Sequence, residues 1–230
     1  MPHKRKSNTT KLEIIQVASR MFLERGYTKT SVKAIADELD ISAGHLMFYF
    51  PTKDHLLAEL VEMLCEFQWK MMQSVVEEGN TSVMAVCLEL ATMAAMCEED
   101  EIARDFYLAS YCSPLTLELI RRNDVERAKM VFAEYCPDWD AQQFAEAEIL
   151  VSGVEYATLM VAGDEVTLDN RVAGALNSIL TTYQVPEDAR STKIHKVLAL
   201  DYRAVSRRIL KEFKAFVEEA NEHAFEETLQ

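Results

Sequence analysis

Long stretches of this chain contain neither glycine nor proline, and this limits its fold more than any other feature. Only six glycines and five prolines punctuate 230 residues. A sandwich or barrel needs turn residues at intervals of roughly 8–12 positions, so the spacing predicts helices joined by short connections, an all-α fold. Hydrophobic residues make up 49% of the chain, enough to bury a sizeable core. The length suits one large domain or two small ones.

The most apolar stretch, Met84–Cys97, is 14 residues long and is interrupted by Glu89. A membrane-spanning helix needs roughly 20 apolar residues, so no span is expected. The opening MPHKRKSNTT has charge but no apolar run behind it, which does not read as a secretory signal. The five cysteines (Cys65, Cys87, Cys97, Cys112, Cys136) are an odd number without CxxC spacing. They mostly sit in apolar helical stretches and are expected to be buried free thiols in a reducing cytoplasm, with a redox sensor as the less supported alternative.

A net charge of −14 argues at first against a nucleic-acid partner, but its distribution reverses the argument. Residues 1–55 hold nine Lys and Arg against six Asp and Glu, a net of +3, and the remainder carries −17. A mildly basic head on an acidic body keeps attraction to phosphate local.

Apolar residues at helical spacing outline that head. A first helix is expected from near Thr10, where Thr10 and Glu13 have capping-box spacing, with Leu12, Ile15, Ala18 and Phe22 on one face and Gly26 at its end. A second spans about Ser31 to Glu38, with Val32, Ile35, Ala36 and Leu39 inward. After a break at Asp40–Ile41, Ser42 caps a third, Ala43 to Tyr49, with Leu46 and Phe50 inward. Pro51 stops it, and Thr52 opens a long helix to about Glu77. The segment EEGNTS at 77–82 is the clearest break and is expected to be the joint between head and body. Further helical stretches are expected near 83–97, 100–111, 114–135, 140–162, 168–184 and 188–224. Ser113-Pro114 reads as N-cap and first helical position, and Asp140 with Gln143 repeats the capping-box spacing. In the last stretch, Ile194, Leu198, Val205, Ile209 and Phe216 form an apolar stripe, and its Arg203, Arg207, Arg208, Lys211 and Lys214 are expected to pair with Glu at i,i+4 rather than hold an anion.

Two short helices joined by a tight turn suit a helix-turn-helix, with Ala34, Ala36 and Ala43 as the small residues at the crossing. Met47, Phe48 and Tyr49 are left over once Leu46 and Phe50 face inward. Either they pack on the first and fourth helices or they meet thymine methyls and sugar-phosphate.

The string FLERGYTKTSVKAIADELDISAGHLMFYFPTKDHLL, Phe22 to Leu57, resembles the head of the TetR family of transcriptional regulators. The resemblance lies in Gly26-Tyr27, Thr30-Ser31, Val32/Ile35/Ala36, Ser42/Gly44, Phe48-Tyr49-Phe50, Lys53-Asp54 and Leu56-Leu57, covering about residues 10–60. It implies a three-helix DNA-binding domain at 1–55, with a basic flexible tail at 1–8, and a helical-bundle domain at 56–230 for effector binding and dimerisation. It implies that Thr30, Ser31 and Lys33 touch phosphate, that Ser42, Ala43, Gly44 and His45 face bases or backbone, and that Tyr49 and Lys53 bond phosphates, with Met47 and Phe48 on the same DNA face. Met47 stands where the family often has Tyr, and Ala43 where a long polar residue is common. Apolar contacts and DNA shape are therefore expected to carry much of the specificity. His3, Lys4, Arg5 and Lys6 add either phosphate or minor-groove contacts or a solvated tail.

A single such unit reads few base pairs, so a palindromic double-stranded operator and a homodimer are expected. The family uses two late helices for this. Here Gln142–Val161 and Leu168–Tyr183 carry the small residues Ser152, Gly153, Ala157, Ala173, Gly174 and Ser178, which allow close helix approach or intramolecular packing. Met93, Met96, Phe106, Tyr107, Tyr111, Met130 and Tyr156 are candidates to line an apolar effector pocket, or plain core. The chain is expected to be a ligand-responsive repressor released by a small apolar or amphipathic effector. The alternative is a helical scaffold without DNA contact, which the acidic body favours. Ligand-spaced His and Cys, a glycine-rich phosphate loop and a GxSxG elbow are all missing, so no catalysis, metal or cofactor is expected.

Overall fold

The computed structural model describes residues 2–77, 80–161 and 165–229, and the side chains among them except those of 2–8, 76 and 227–229. The described residues are helical, without strands: α1 (Pro2–Arg25), α2 (Val32–Glu38), α3 (Ala43–Tyr49), α4 (Lys53–Glu77), α5 (Ser82–Glu99), α6 (Glu101–Cys112), α7 (Pro114–Val131), α8 (Ala141–Met160), α9 (Leu168–Thr182), α10 (Glu187–Leu198) and α11 (Tyr202–Leu229). They form two compact units. The first comprises Met1–Phe67, Glu101–Leu117 and Lys211–Gln230, and the second Gln68–Asp100 and Glu118–Leu210.

In the first unit, α1 supplies Ile14, Ala18, Met21 and Phe22, α2 Ile35 and Ala36, α3 Leu46, and α4 Leu56, Leu57 and Leu60, all buried. α1 starts at Pro2 and not near Thr10. Proline suits a first helical position, and no breaker lies between it and Thr10, so Thr10 sits inside the helix and does not cap it. The side chains of His3, Lys4, Arg5 and Lys6 lie outside the described residues. Phe106, Tyr107 and Tyr111 of α6 are buried in this unit, Phe106 with its ring 6.3 Å from that of Phe213.

The second unit is built around α5, the most apolar stretch. It is buried nearly all round because α8, α9 and α10 pack against it. Its interior charge, Glu89, pairs with Arg127 of α7 and accepts from Gln68 Nε2 at 2.7 Å. α8 opens with the expected capping box of Asp140 and Gln143. The single last helix expected over 188–224 is two. Asp201 takes the N–H of Ala204 at 3.0 Å, and this side-chain cap opens α11 after α10 has closed. The break resets the helical phase. Tyr202, Phe213 and Val217 are buried, whereas Ile194, Leu198, Val205, Ile209 and Phe216 are only half-buried. Arg203 and Arg207 pair not at i,i+4 but with Glu98 and Glu99 of α5 (Arg203–Glu98 2.9 Å, Arg207–Glu99 2.8 Å). None of the five cysteines is in a disulfide; Cys87, Cys97 and Cys136 are buried as expected, but Cys65 is only half-buried and Cys112, at the end of α6, is exposed. Among the described residues, no helix is long and apolar enough to cross a membrane.

Candidate nucleic-acid interface

Both short helices of the head are set by serine caps. Ser31 is extended, and its Oγ takes the N–H of Ala34 at 3.0 Å. Ser42 does the same for His45 at 3.1 Å. Between them the chain turns through Asp40 at φ 53°. The Ile41 N–H reaches Ala36 O at 3.0 Å and the Asp40 N–H reaches Asp37 O at 3.3 Å. This is a Schellman closure, with aspartate in the left-handed position where glycine is usual. The result is a turn only long enough to redirect α3 across α2.

α3 then divides cleanly. Leu46 is fully buried, and Phe50, just beyond, is buried beneath the Lys11 ammonium, 5.5 Å from its ring centroid. On the opposite side Ser42, Gly44 and His45 are exposed, Met47 is 49% exposed and Phe48 78%. Ala43 and Tyr49 are half-buried. The Tyr49 ring lies 5.3 Å edge-on from Phe48 and 5.7 Å from His45, so the three form one aromatic surface. Leaving a phenylalanine in water forgoes about 1.5–3 kcal/mol available from burial. Of the two openings left by the sequence for Met47 and Phe48, packing inside the head is therefore removed. Ser31, the cap of α2, and Lys33 within it are also exposed.

Two of the expected contact residues have other work. Thr30 is buried, and its hydroxyl donates to Gly26 O at 2.8 Å and Met21 O at 3.3 Å. It pins the turn, and its side chain does not face solvent. Lys53 is half-buried, and its ammonium donates to Tyr27 O (2.9 Å) and Thr30 O (3.1 Å) while sitting 3.8 Å over the Tyr27 ring. Burial lowers its pKa from the usual lysine value. Two of its three donors brace the loop between α1 and α2, leaving one for any outside acceptor.

That loop begins at Gly26, where the sequence ends the first helix, and is held by side chains the sequence did not single out for the purpose. Gly26 closes α1 at φ 92°, and its N–H returns to Phe22 O at 3.1 Å. The Tyr27 hydroxyl donates to Asp54, whose other oxygen accepts from Ser113 Oγ at 3.0 Å. Burial and the Asp54 carboxylate push the Tyr27 pKa upward. Asp105 of α6 takes the Thr28 N–H at 2.8 Å and the Thr28 hydroxyl. These pairs are 27 to 77 positions apart, so no local spacing announces them.

The remaining expected residues fall in separate places. Met93 and Met96 are buried in α5, and Met130 and Tyr156 are exposed on α7 and α8, all in the second unit, whereas Phe106, Tyr107 and Tyr111 belong to the first. Ser152 is turned inward and accepts from Arg121 Nε at 2.9 Å. Gly153, Ala157, Gly174 and Ser178 are exposed and Ala173 half-buried, along the outward faces of α8 and α9. Among the described residues, no group of His, Cys, Asp and Glu is placed to hold a metal.

Capped short helices, a Schellman turn and an open aromatic face define a helix-turn-helix head. Residues 14–60 match the family model described as bacterial regulatory proteins, tetR family. The chain is 30% identical over 80 residues to the uncharacterised HTH-type transcriptional regulator YuxN of Bacillus subtilis, covering 35% of this chain and 28% of that protein. It is also 30% identical over 70 residues to the HTH-type transcriptional repressor KstR2 of Mycobacterium tuberculosis, covering 30% and 35%. The matches thus span only about a third of those relatives. Among solved structures, it is similar to the TetR family protein CprB from S. coelicolor A3(2), with 19% identity, TM-score 0.44, and 85% of this chain and 98% of that one covered. A gamma-butyrolactone receptor gives 18% identity, TM-score 0.42, and 91% and 98% coverage.

Proposed function

We propose that this chain is a transcriptional repressor that binds a palindromic operator as a homodimer and releases it when a small effector occupies the helical body. The observation that carries this reading is the exposed face of α3, on which Phe48, Met47 and His45 stand in water, with Lys33 exposed on α2. Such a face gains from thymine methyls and sugar edges, while lysine supplies phosphate attraction. Ser31, Ser42, Ala43, Gly44 and Tyr49 complete the contact surface, and Thr30 and Lys53 hold it in shape.

Dimerisation is supported by α8 and α9. A Cβ added at Gly153 or Gly174 would meet nothing within 4 Å. Glycine in a helix interior costs about 1 kcal/mol against alanine, and nothing in the chain's own packing compensates. Close approach of a second copy supplies a reason. Ile149 (56% exposed) and Leu150 (64%) give the same face its apolar content. Release follows if effector binding favours a body conformation that displaces α4, which runs unbroken from Lys53 to Glu77 and whose first turn braces the loop before α2.

Selection of bound sites from random duplexes tests the reading. An enriched inverted repeat, with half-sites one helical turn or a multiple apart and affinity that falls with salt, is the expected result. No enrichment at low salt would remove DNA binding, and an asymmetric single site would remove the dimer.

A further inference from the structure

We propose that a cleft in the first unit, between α1 of the head and the C-terminal half of α11, binds an amino acid with an apolar side chain. The cleft is about 510 Å³, within the range of small-molecule sites. Leu23 of α1 and Val217 of α11 are buried and give it an apolar floor, which half-buried Val17 extends. Charged side chains of both signs line the rest: Arg20 and Lys214 against Glu24, Glu218 and Glu222.

The protein does not use up the polar groups of this cleft itself. Asn221 is only 4% exposed, and it continues the inward stripe of α11 on which Phe213 and Val217 are apolar and buried. It lines the cleft, and among the described residues its carboxamide has no hydrogen-bond partner. A buried amide without partners is unfavourable unless an occupant supplies them. Its oxygen accepts from an ammonium and its NH₂ donates to a carboxylate, so one carboxamide serves both ends of a zwitterion.

The two cations of the cleft differ. Arg20 is engaged, its guanidinium donating to Glu38 of α2 at 2.8 Å. Lys214 is half-buried and, among the described residues, forms no ion pair, not even with Glu218 one turn further along the helix. Its ammonium is the natural seat for a carboxylate. Glu218 and Glu222, exposed on the same face of α11, offer acceptors for an ammonium. An ion of one sign satisfies only half of this lining and meets the other half as repulsion. A zwitterion satisfies both, and its side chain covers Leu23 and Val217. With three carboxylates against one unengaged lysine, an acid lacking its amine should fare worst.

The full chain is titrated calorimetrically with L-leucine, with L-phenylalanine, and with two analogues of the latter that each lack one charge, phenethylamine and 3-phenylpropionate. Both amino acids are expected to bind, and each analogue at least about tenfold more weakly, the acid weakest. Lys214→Gln should weaken L-phenylalanine by about tenfold and leave phenethylamine unchanged. Glu218→Gln with Glu222→Gln should weaken both of these, while Lys196→Gln, in the second unit, leaves every affinity as it was. An unchanged melting curve confirms that the variants fold. No heat with either amino acid, an analogue that binds as tightly as L-phenylalanine, or a Lys214→Gln protein that binds like the parent overturns the site. Duplex selection by the head does not depend on this result, nor the titration on the selection, so the two readings fail separately.

Discussion

Asp105 grips Thr28 twice: one carboxylate oxygen takes the backbone N–H at 2.8 Å and the other takes the hydroxyl. The grip lies two residues past Gly26, where an added Cβ would fall 2.8 Å from the same Asp105 oxygen. Asp105→Ala should therefore cost about 1–3 kcal/mol in denaturant unfolding and weaken operator binding. Gly26→Ala should cost at least as much, since it meets both a left-handed backbone and that oxygen. Combined, the two should be less than additive, because removing the carboxylate relieves the clash but not the φ of 92°. Strict additivity would show that the two residues do not share a strained contact.

At the α3 face stability and binding should separate. Phe48→Ala, at a position 78% exposed, is expected to shift stability by no more than about 0.5 kcal/mol, while operator affinity falls about tenfold or more. Lys33→Ala should weaken all sequences alike and lower the salt slope by about one. Melting curves and binding isotherms on the same preparations check both, and a Phe48→Ala protein that binds normally would mean this face is not used.

Opposite signs are expected at Gly174. A leucine there sets its Cβ in open space, with nothing within 4 Å, and improves helix propensity by up to about 1 kcal/mol, so the folded subunit should gain stability. Across a close helix contact the same side chain should weaken the dimer. Sedimentation at graded concentrations reads the second effect. A variant that dimerises like the parent would place the interface elsewhere.

Glu148 of α8 is buried, one of its oxygens accepts from the Tyr183 hydroxyl, and the other has no hydrogen-bond partner. Burial, with Asp124 nearby, pushes its pKa up from 4.5 to about 8. The folded chain thus holds a proton that the unfolded chain releases. The resulting stability is complete below about pH 4.5 and declines as pH rises through 8. Glu148→Gln keeps the side chain neutral throughout, so the variant should lack this decline and gain on the parent between pH 5 and about 8. Parallel melting temperatures across that window would assign the proton to another group.

Much of what is settled within three or four residues was legible in the sequence, though not the Asp201 cap that splits the last helix nor the start of α1 at Pro2. Ser31, Ser42, Gly26 and the Asp140–Gln143 box act on backbone groups that any helix start or end must satisfy, and each does what its position implies. So does the inward pair Leu46 and Phe50, four residues apart. What the sequence could not supply was the choice among distant partners. Ser113 precedes Pro114 as a cap should, yet its hydroxyl goes to Asp54. Lys53 turns its ammonium into the loop ahead of α2, and Arg203 and Arg207 cross to α5 instead of pairing along their own helix. A hydroxyl or cation has several acceptors of similar strength within reach of an unfolded chain, and which one wins depends on packing that brings residues tens of positions apart together. Local chemistry therefore fixed where most helices begin and end, and tertiary packing decided which polar groups brace the head and which remain open to a partner.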